Sequence, residues 1–168
     1  MGRSECRRVA YGAVVAACAA LALVVGCTSN KPAPPVPAKA QLSAAPDVNP
    51  DSSGRPSPVV VRMFQLRNDG ELAAADFFSV WEKEKATLAQ SFISREEYVL
   101  SPGEKREFDL PLNPETHVIG VVVAYRDIRS ARWRALSRAP QKKLKDLLSK
   151  EGVTVSVAKD AVTVTVKD

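Results

Sequence analysis

Near the C-terminus, Val153, Val155 and Val157 alternate with Thr154 and Ser156, and Val162, Val164 and Val166 alternate with Thr163 and Thr165. Successive side chains of a strand point to opposite faces, so a period of two demands strands with one buried and one solvated face. β-Branched side chains also fit a pleated surface better than a helical turn. Residues 158–161 form the connecting turn, and the two runs read as a C-terminal hairpin. An isolated hairpin is marginal in water, so the valine face requires other strands to cover it.

Those strands are recognisable upstream. Tyr98 and Leu100 end one run, and Ser101-Pro102-Gly103-Glu104 follows with Pro and Gly at the central positions of a type II turn. Phe108, Leu110 and Leu112 mark the return strand. Residues 117–125 are apolar on both faces apart from His117, and residues 59–66 are similar apart from Arg62, which suggests central strands covered on both sides. A weaker strand occupies residues 39–45. Helical signals are fewer. Phe77, Phe78, Trp81 and Leu88 make an apolar stripe opposite Glu82, Lys83 and Glu84, with Asp76 as N-cap. Leu144, Leu147 and Leu148 suggest a short helix after Pro140, with Gly152 as its stop. About seven or eight strands with one or two short helical insertions give a mainly β chain, expected to be a β-sandwich.

The N-terminus follows different rules. Arg3, Arg7 and Arg8 precede 17 uncharged residues, 9–25, the layout of an export signal. Such a run also lies at the lower limit for a permanent membrane helix. Val24-Val25-Gly26-Cys27 separates the two readings, because it resembles the bacterial lipobox. A thiol takes the diacylglyceryl group as a thioether, and a small residue at Gly26 lets the signal peptidase reach the peptide bond. Residues 1–26 are therefore read as a lipoprotein signal peptide. Cys27 is the lipidation site, carrying S-diacylglycerol and an N-acyl chain, and no other cofactor is expected. Residues 27–38 form a tether in which Pro32, Pro34, Pro35 and Pro37 favour polyproline II, reaching on the order of 30 Å. Residues 39–168 form the sandwich domain. Thr28 stands where an inner-membrane retention signal places Asp, so by that resemblance the destination is the periplasmic face of the outer membrane.

Cleavage would also discard Cys6 and Cys18, leaving no cysteine in the domain for a disulfide or a metal. The net charge of +5 falls to +3 when three arginines and Glu5 leave, which argues against a nucleic-acid partner. His117 has no neighbours that complete a triad, and Glu96-Glu97 places its carboxylates on opposite strand faces. No phosphate loop or nucleophile elbow occurs, so neither an enzyme nor a small-molecule substrate is expected.

Two segments stand out. Residues 47–58 contain Asn49, Pro50, Asp51, Ser52, Ser53, Gly54, Arg55 and Pro56, a proline-braced polar loop that either pins strand register or presents a preformed surface to a partner. Residues 125–138 contain Arg126, Arg129, Arg132, Arg134 and Arg138 around Trp133, a second partner-facing candidate. The same arginines could instead meet anionic lipid or form a solvated rim around a buried tryptophan.

Asn49-Pro50-Asp51 and the block from Gly54 to Arg62 resemble the TssJ (SciN, VasD, Lip) lipoproteins of the type VI secretion system. So do Ala75-Asp76-Phe77-Phe78, Leu100-Ser101-Pro102-Gly103-Glu104, Ile119-Gly120-Val121, Tyr125-Arg126-Asp127 and Trp133-Arg134-Ala135, in the same order. The resemblance implies a transthyretin-like sandwich with helical additions. It implies an outer-membrane lipoprotein that binds the periplasmic C-terminal part of TssM, and through it TssL, in a trans-envelope complex. It places the TssM contact on the loop between the first two strands, with Asn49, Asp51 and Arg55 as polar contacts and Pro50 and Pro56 holding the shape. The alternatives are a solitary periplasmic ligand-binding lipoprotein and an envelope hydrolase.

Overall fold

The computed structural model describes residues 33–140 and 152–167. Gly26, Cys27 and the expected helix around Leu144, Leu147 and Leu148 lie outside the described residues. Eight strands among the described residues form two four-stranded sheets: β1 (Val36–Ala44), β2 (Val59–Leu66), β3 (Phe92–Leu100), β4 (Lys105–Leu112), β5 (Val118–Ala124), β6 (Arg134–Arg138), β7 (Gly152–Val157) and β8 (Val162–Lys167). One sheet has the order β4-β1-β7-β8 and the other β3-β2-β5-β6. All pairings are antiparallel except β1 with β7. Two helices, α1 (Gly70–Ala74) and α2 (Phe77–Leu88), are inserted between β2 and β3.

The valine hairpin is present as β7–β8, with Val153, Val155 and Val157 buried and Ser156, Thr163 and Thr165 exposed. Two expectations change. First, β1 starts at Val36, three residues before the expected strand and inside the expected tether. Pro37 faces Pro111 across the β1–β4 ladder, where two residues without N–H groups can share a non-hydrogen-bonded pair. Among the described residues, pairing with β7 begins at Lys39, and Pro37 has a strand neighbour only in β4. Second, the turn at Ser101–Glu104 does not close a hairpin. Gly103 takes the expected positive φ of 76° and the Glu104 N–H donates to Ser101 O, but β3 pairs with β2 while β4 crosses to pair with β1. Gly152 is the first residue of β7, and the helix expected before it lies outside the described residues.

The two-sided apolar strands explain the layering. Val59, Val61 and Met63 of β2, with Ile119, Val121 and Val123 of β5, face Leu42, Leu110, Val153 and Val155 of the opposite sheet. Phe64, Leu66, Val118 and Val122 point outward and are covered by Leu72 of α1 and Val80 and Leu88 of α2. Burying each such side chain contributes about 1.5–3 kcal/mol, which holds two short helices that have little stability of their own. Asp76 caps α2 as expected, accepting from Ser79 N at 3.0 Å. Phe78 departs from the expected stripe and is 59% exposed, because Val80 and Leu88 provide the buried face. Helical geometry breaks at Lys83 (φ −131°, ψ 41°), so the face does not run straight through α2. Phe77 stacks on Trp81 at 5.3 Å and meets Trp133 edge-on, joining α2 to the start of β6.

Strand direction sorts the connections. Ala44 ends β1 beside Val157 at the end of β7, and Val60 near the start of β2 pairs with Ala124 at the end of β5. The β1–β2, β3–β4, β5–β6 and β7–β8 connections therefore share one end of the sandwich. The start of β1, the helical insertion and the β4–β5 turn lie at the other. There the buried Gln65 amide organises the turn: its Oε1 accepts from Asn113 N at 2.8 Å and Thr116 Oγ1 at 2.9 Å, and its Nε2 donates to Pro111 O at 3.1 Å.

Gly120 marks the tightest contact between α1 and β5. A Cβ there would sit 2.5 Å from Leu72 Cδ2 and 3.1 Å from Leu66 Cδ1. Gly120→Ala should destabilise the domain by about 1–3 kcal/mol in urea unfolding. Combined with Leu72→Ala it should cost less than the sum of the two single changes.

Candidate functional site: the loop cluster at one end of the sandwich

The β1–β2 loop, residues 45–58, is anchored before it is exposed. Val48 is fully buried, and Ser57 N donates to Val48 O at 3.1 Å, closing the base of the loop. Beyond this base the chain makes a compact tip. Asp51 N donates to Arg55 O and Gly54 N to Asp51 O, both at 2.9 Å. The Asp51 carboxylate accepts from Ser53 N at 2.8 Å, Arg55 N at 3.0 Å and Arg55 Nε at 2.8 Å. Gly54 supplies φ +76°, and a Cβ there would meet nothing, so its role is conformational. The Arg55 N–H, reinforced by the Arg55 guanidinium and the Ser53 N–H, holds the Asp51 carboxyl below its usual range.

Asn49 has a different task from the one expected. It is 4% exposed with φ 49°, a left-handed conformation that Asn tolerates better than most residues. Its N–H donates to Lys159 O at 3.0 Å, its Nδ2 to Pro58 O at 2.8 Å, and its Oδ1 accepts from Arg126 N at 2.8 Å. This one residue thus ties the β1–β2 loop to the β5–β6 loop through its side chain and to the β7–β8 turn through its backbone. It braces the surface and is not available to a partner. At the tip Ser52, Ser53, Gly54, Arg55 and Pro56 are exposed, with Pro50 and Asp51 partly so.

The arginine segment divides in two. Arg126 and Arg129 are exposed beside the loop tip. Arg132 is also exposed, and its backbone bridges the sheets, donating to Asp160 O at 2.8 Å and accepting from Val162 N at 3.1 Å. Arg134 turns inward instead. Its guanidinium donates to Leu72 O and Ala75 O at the end of α1 and lies 4.9 Å from the Trp133 ring. Arg134 therefore supports the helical insertion and is not part of the presented surface.

Sequence reasoning missed Tyr125 and Lys159. Tyr125 is buried, its hydroxyl donates to Ala158 O at 3.2 Å, and burial pushes its phenol above the ordinary range. Both residues adjoin a hollow of about 150 Å³ among the three loops. That is smaller than the roughly 300–1,000 Å³ of small-molecule sites. The only prior signal was the polar end of an apolar strand at Tyr125; the bond from Lys159 is made by its backbone, which no side-chain pattern reports.

This geometry has clear relatives. The family model described as type VI secretion lipoprotein (VasD, EvfM, TssJ) matches residues 37–167. The chain belongs to that family. It is a family of structural lipoproteins of the secretion system, not of enzymes. No curated protein sequence matches. Among solved structures, the type VI lipoprotein TssJ1 from Pseudomonas aeruginosa is 27% identical, with a TM-score of 0.71, covering 80% of this chain and 98% of that one. Lip from Serratia marcescens, a membrane-bound component of the type VI secretion system, is 22% identical with a TM-score of 0.70, covering 80% and 99%. A chain of a structure described as the T6SS protein TssM C-terminal domain from EAEC is 22% identical with a TM-score of 0.61, covering 76% and 99%. Among the described residues of this family member, no helix is long and apolar enough to cross a membrane.

Two measurements check the loop cluster. Asn49→Ala orphans the Arg126 N–H and the Pro58 carbonyl, and should lower the unfolding free energy by about 2 kcal/mol in urea titration. Asp51, whose carboxyl is depressed below 3.8, should hold the tip fully ordered above that value. As pH falls through the lower folded-state value the tip loosens, visible as loss of amide-exchange protection at Ser53 and Arg55 while the β5 amides stay protected.

Proposed function

We propose that this lipoprotein is acylated at Cys27, sits on the periplasmic face of the outer membrane, and grips the periplasmic C-terminal part of TssM with the tip of the β1–β2 loop. The observation that carries the reading is the course of β1. It starts where the chain enters the sandwich and ends where the loop begins, nine residues later. At about 3.3 Å per residue, the two ends stand about 30 Å apart. The point where the chain enters the sandwich and the loop proposed as the grip thus lie at opposite ends of the domain, as suits a linker between two membranes.

The tip suits the task. Asp51, Gly54 and Arg55 order it internally, and Asn49 fixes it to two other loops, so little conformational entropy is left to lose on binding. The TssM structure with a similarly folded chain supports the choice of partner. Confining both proteins to one compartment raises their effective concentration, so a modest intrinsic affinity suffices to join TssM, and through it TssL, to the outer membrane. The tether ends earlier than expected, because β1 takes over at Val36.

Two variants of the full chain separate grip from anchor. Replacing Asp51, Ser52, Ser53 and Arg55 together by glycine should abolish co-purification of the TssM periplasmic domain while the chain still fractionates with outer membrane. Cys27→Ala should do the reverse. Unchanged co-purification by the glycine variant, with binding by the parent, would remove the loop assignment.

A further inference from the structure

Beside the loop tip lies an open groove of about 680 Å³, with Pro50, Asp51 and Ser52 on one wall and Arg126, Asp127, Ile128 and Arg129 on the other. We propose that this groove seats an acidic segment of the partner protein, with Arg126 and Arg129 as receptors for its carboxylates and Pro50 and Ile128 as apolar flanks. The proposal rests on the partner reading above and deepens it by assigning a second contact and its chemistry.

Four observations carry it. The first is an imbalance of engagement. The Asp51 carboxylate is neutralised by Arg55 and held by backbone N–H groups, and Asp127 is bonded to Ser130. Among the described residues, the Arg126 and Arg129 side chains are exposed and make no hydrogen bond or ion pair. With Asp51 offset by Arg55, Arg126 and Arg129 outweigh Asp127, and the groove carries net positive charge.

The second is preorganisation. Arg126 N is bonded to the buried Asn49 side chain, and Ala131 N donates to Asp127 O at 3.1 Å, so both arginine stems leave an ordered turn. A planar guanidinium on a fixed stem offers paired donors that match a carboxylate. The third is shape: a concave site between two loops accepts a chain segment, with apolar surface from Pro50 and Ile128 beside the charges. The fourth is position. The groove adjoins Pro50, Asp51 and Ser52 of the loop tip assigned to the partner above, and this continuity favours a protein ligand over anionic head groups.

Calorimetric titration of the TssM periplasmic domain into the full chain in detergent tests this. The Arg126→Glu/Arg129→Glu double variant should lose affinity roughly tenfold or more, and the remaining binding should depend less on salt. Arg126→Lys/Arg129→Lys should keep the salt dependence with a smaller loss. Glutamate variants that melt like the parent and bind within about twofold would overturn the groove assignment and leave the loop reading standing. Failure of the parent itself to bind would overturn both. Co-sedimentation of the Cys27→Ala chain with phosphatidylglycerol vesicles, lost in the glutamate variant, would assign the groove to lipid and reject the acidic-segment proposal.

Discussion

Strand β5 must be dry on both faces. Val118, Ile119, Val121, Val122 and Val123 leave no side that water can occupy without cost, and β2 beside it has the same character. One face is answered by the second sheet and the other by α1 and α2. Neither helix is long enough to persist alone, so the insertion exists because the sheet needs a cover. Gly120 shows how close that cover comes, with the Leu72 side chain occupying the space of its missing Cβ.

The ends of the sandwich are organised by a different force. At each, one buried amide side chain satisfies backbone groups that the sheets leave unpaired. Gln65 gathers the β4–β5 turn, and the Asn49 side chain joins the β1–β2 and β5–β6 loops at the far end, while its backbone N–H adds the β7–β8 turn. A buried polar group is costly when unmatched, so a fully matched one selects a single loop arrangement. The loop tip inherits this order. Its own bonds between Asp51 and Arg55 shape it, and Asn49 sets where it stands relative to Arg126 and Arg129.

Membership in the type VI secretion lipoprotein family accords with a molecule that has a rigid body, a modest hollow and a shaped end. The β1 strand gives the body its mechanical axis. In the proposed role, load entering near Val36 would pass along a strand paired on both sides for most of its length to the base of the loop. Parallel pairing with β7 and antiparallel pairing with β4 place that strand inside its sheet, where extension would shear many hydrogen bonds together.

Much was legible beforehand. Period-two valines identified β7 and β8, two-sided apolar runs identified β2 and β5, and Asp76 identified the start of α2, because each signal is local and repeats at the spacing of its element. The Pro-Gly turn at Ser101–Glu104 was equally legible as a turn, yet its consequence was not. A turn's residues set its backbone angles; which sheet the next strand joins depends on β1 being free to pair with β4. For the same reason α1 went unseen, since five residues around Leu72 have no periodicity to read. Sequence alone determined the β class, the resemblance of Val24–Cys27 to a lipobox, and the unusual loop between β1 and β2. Only the tertiary structure decided that Asn49 faces inward, that Arg134 serves α1, and that Arg126 and Arg129 stand beside Pro50. Those depend on contacts between residues far apart in the chain, 77 positions for Asn49 and Arg126 and 62 for Arg134 and Leu72, and such distance erases the pattern that local spacing preserves.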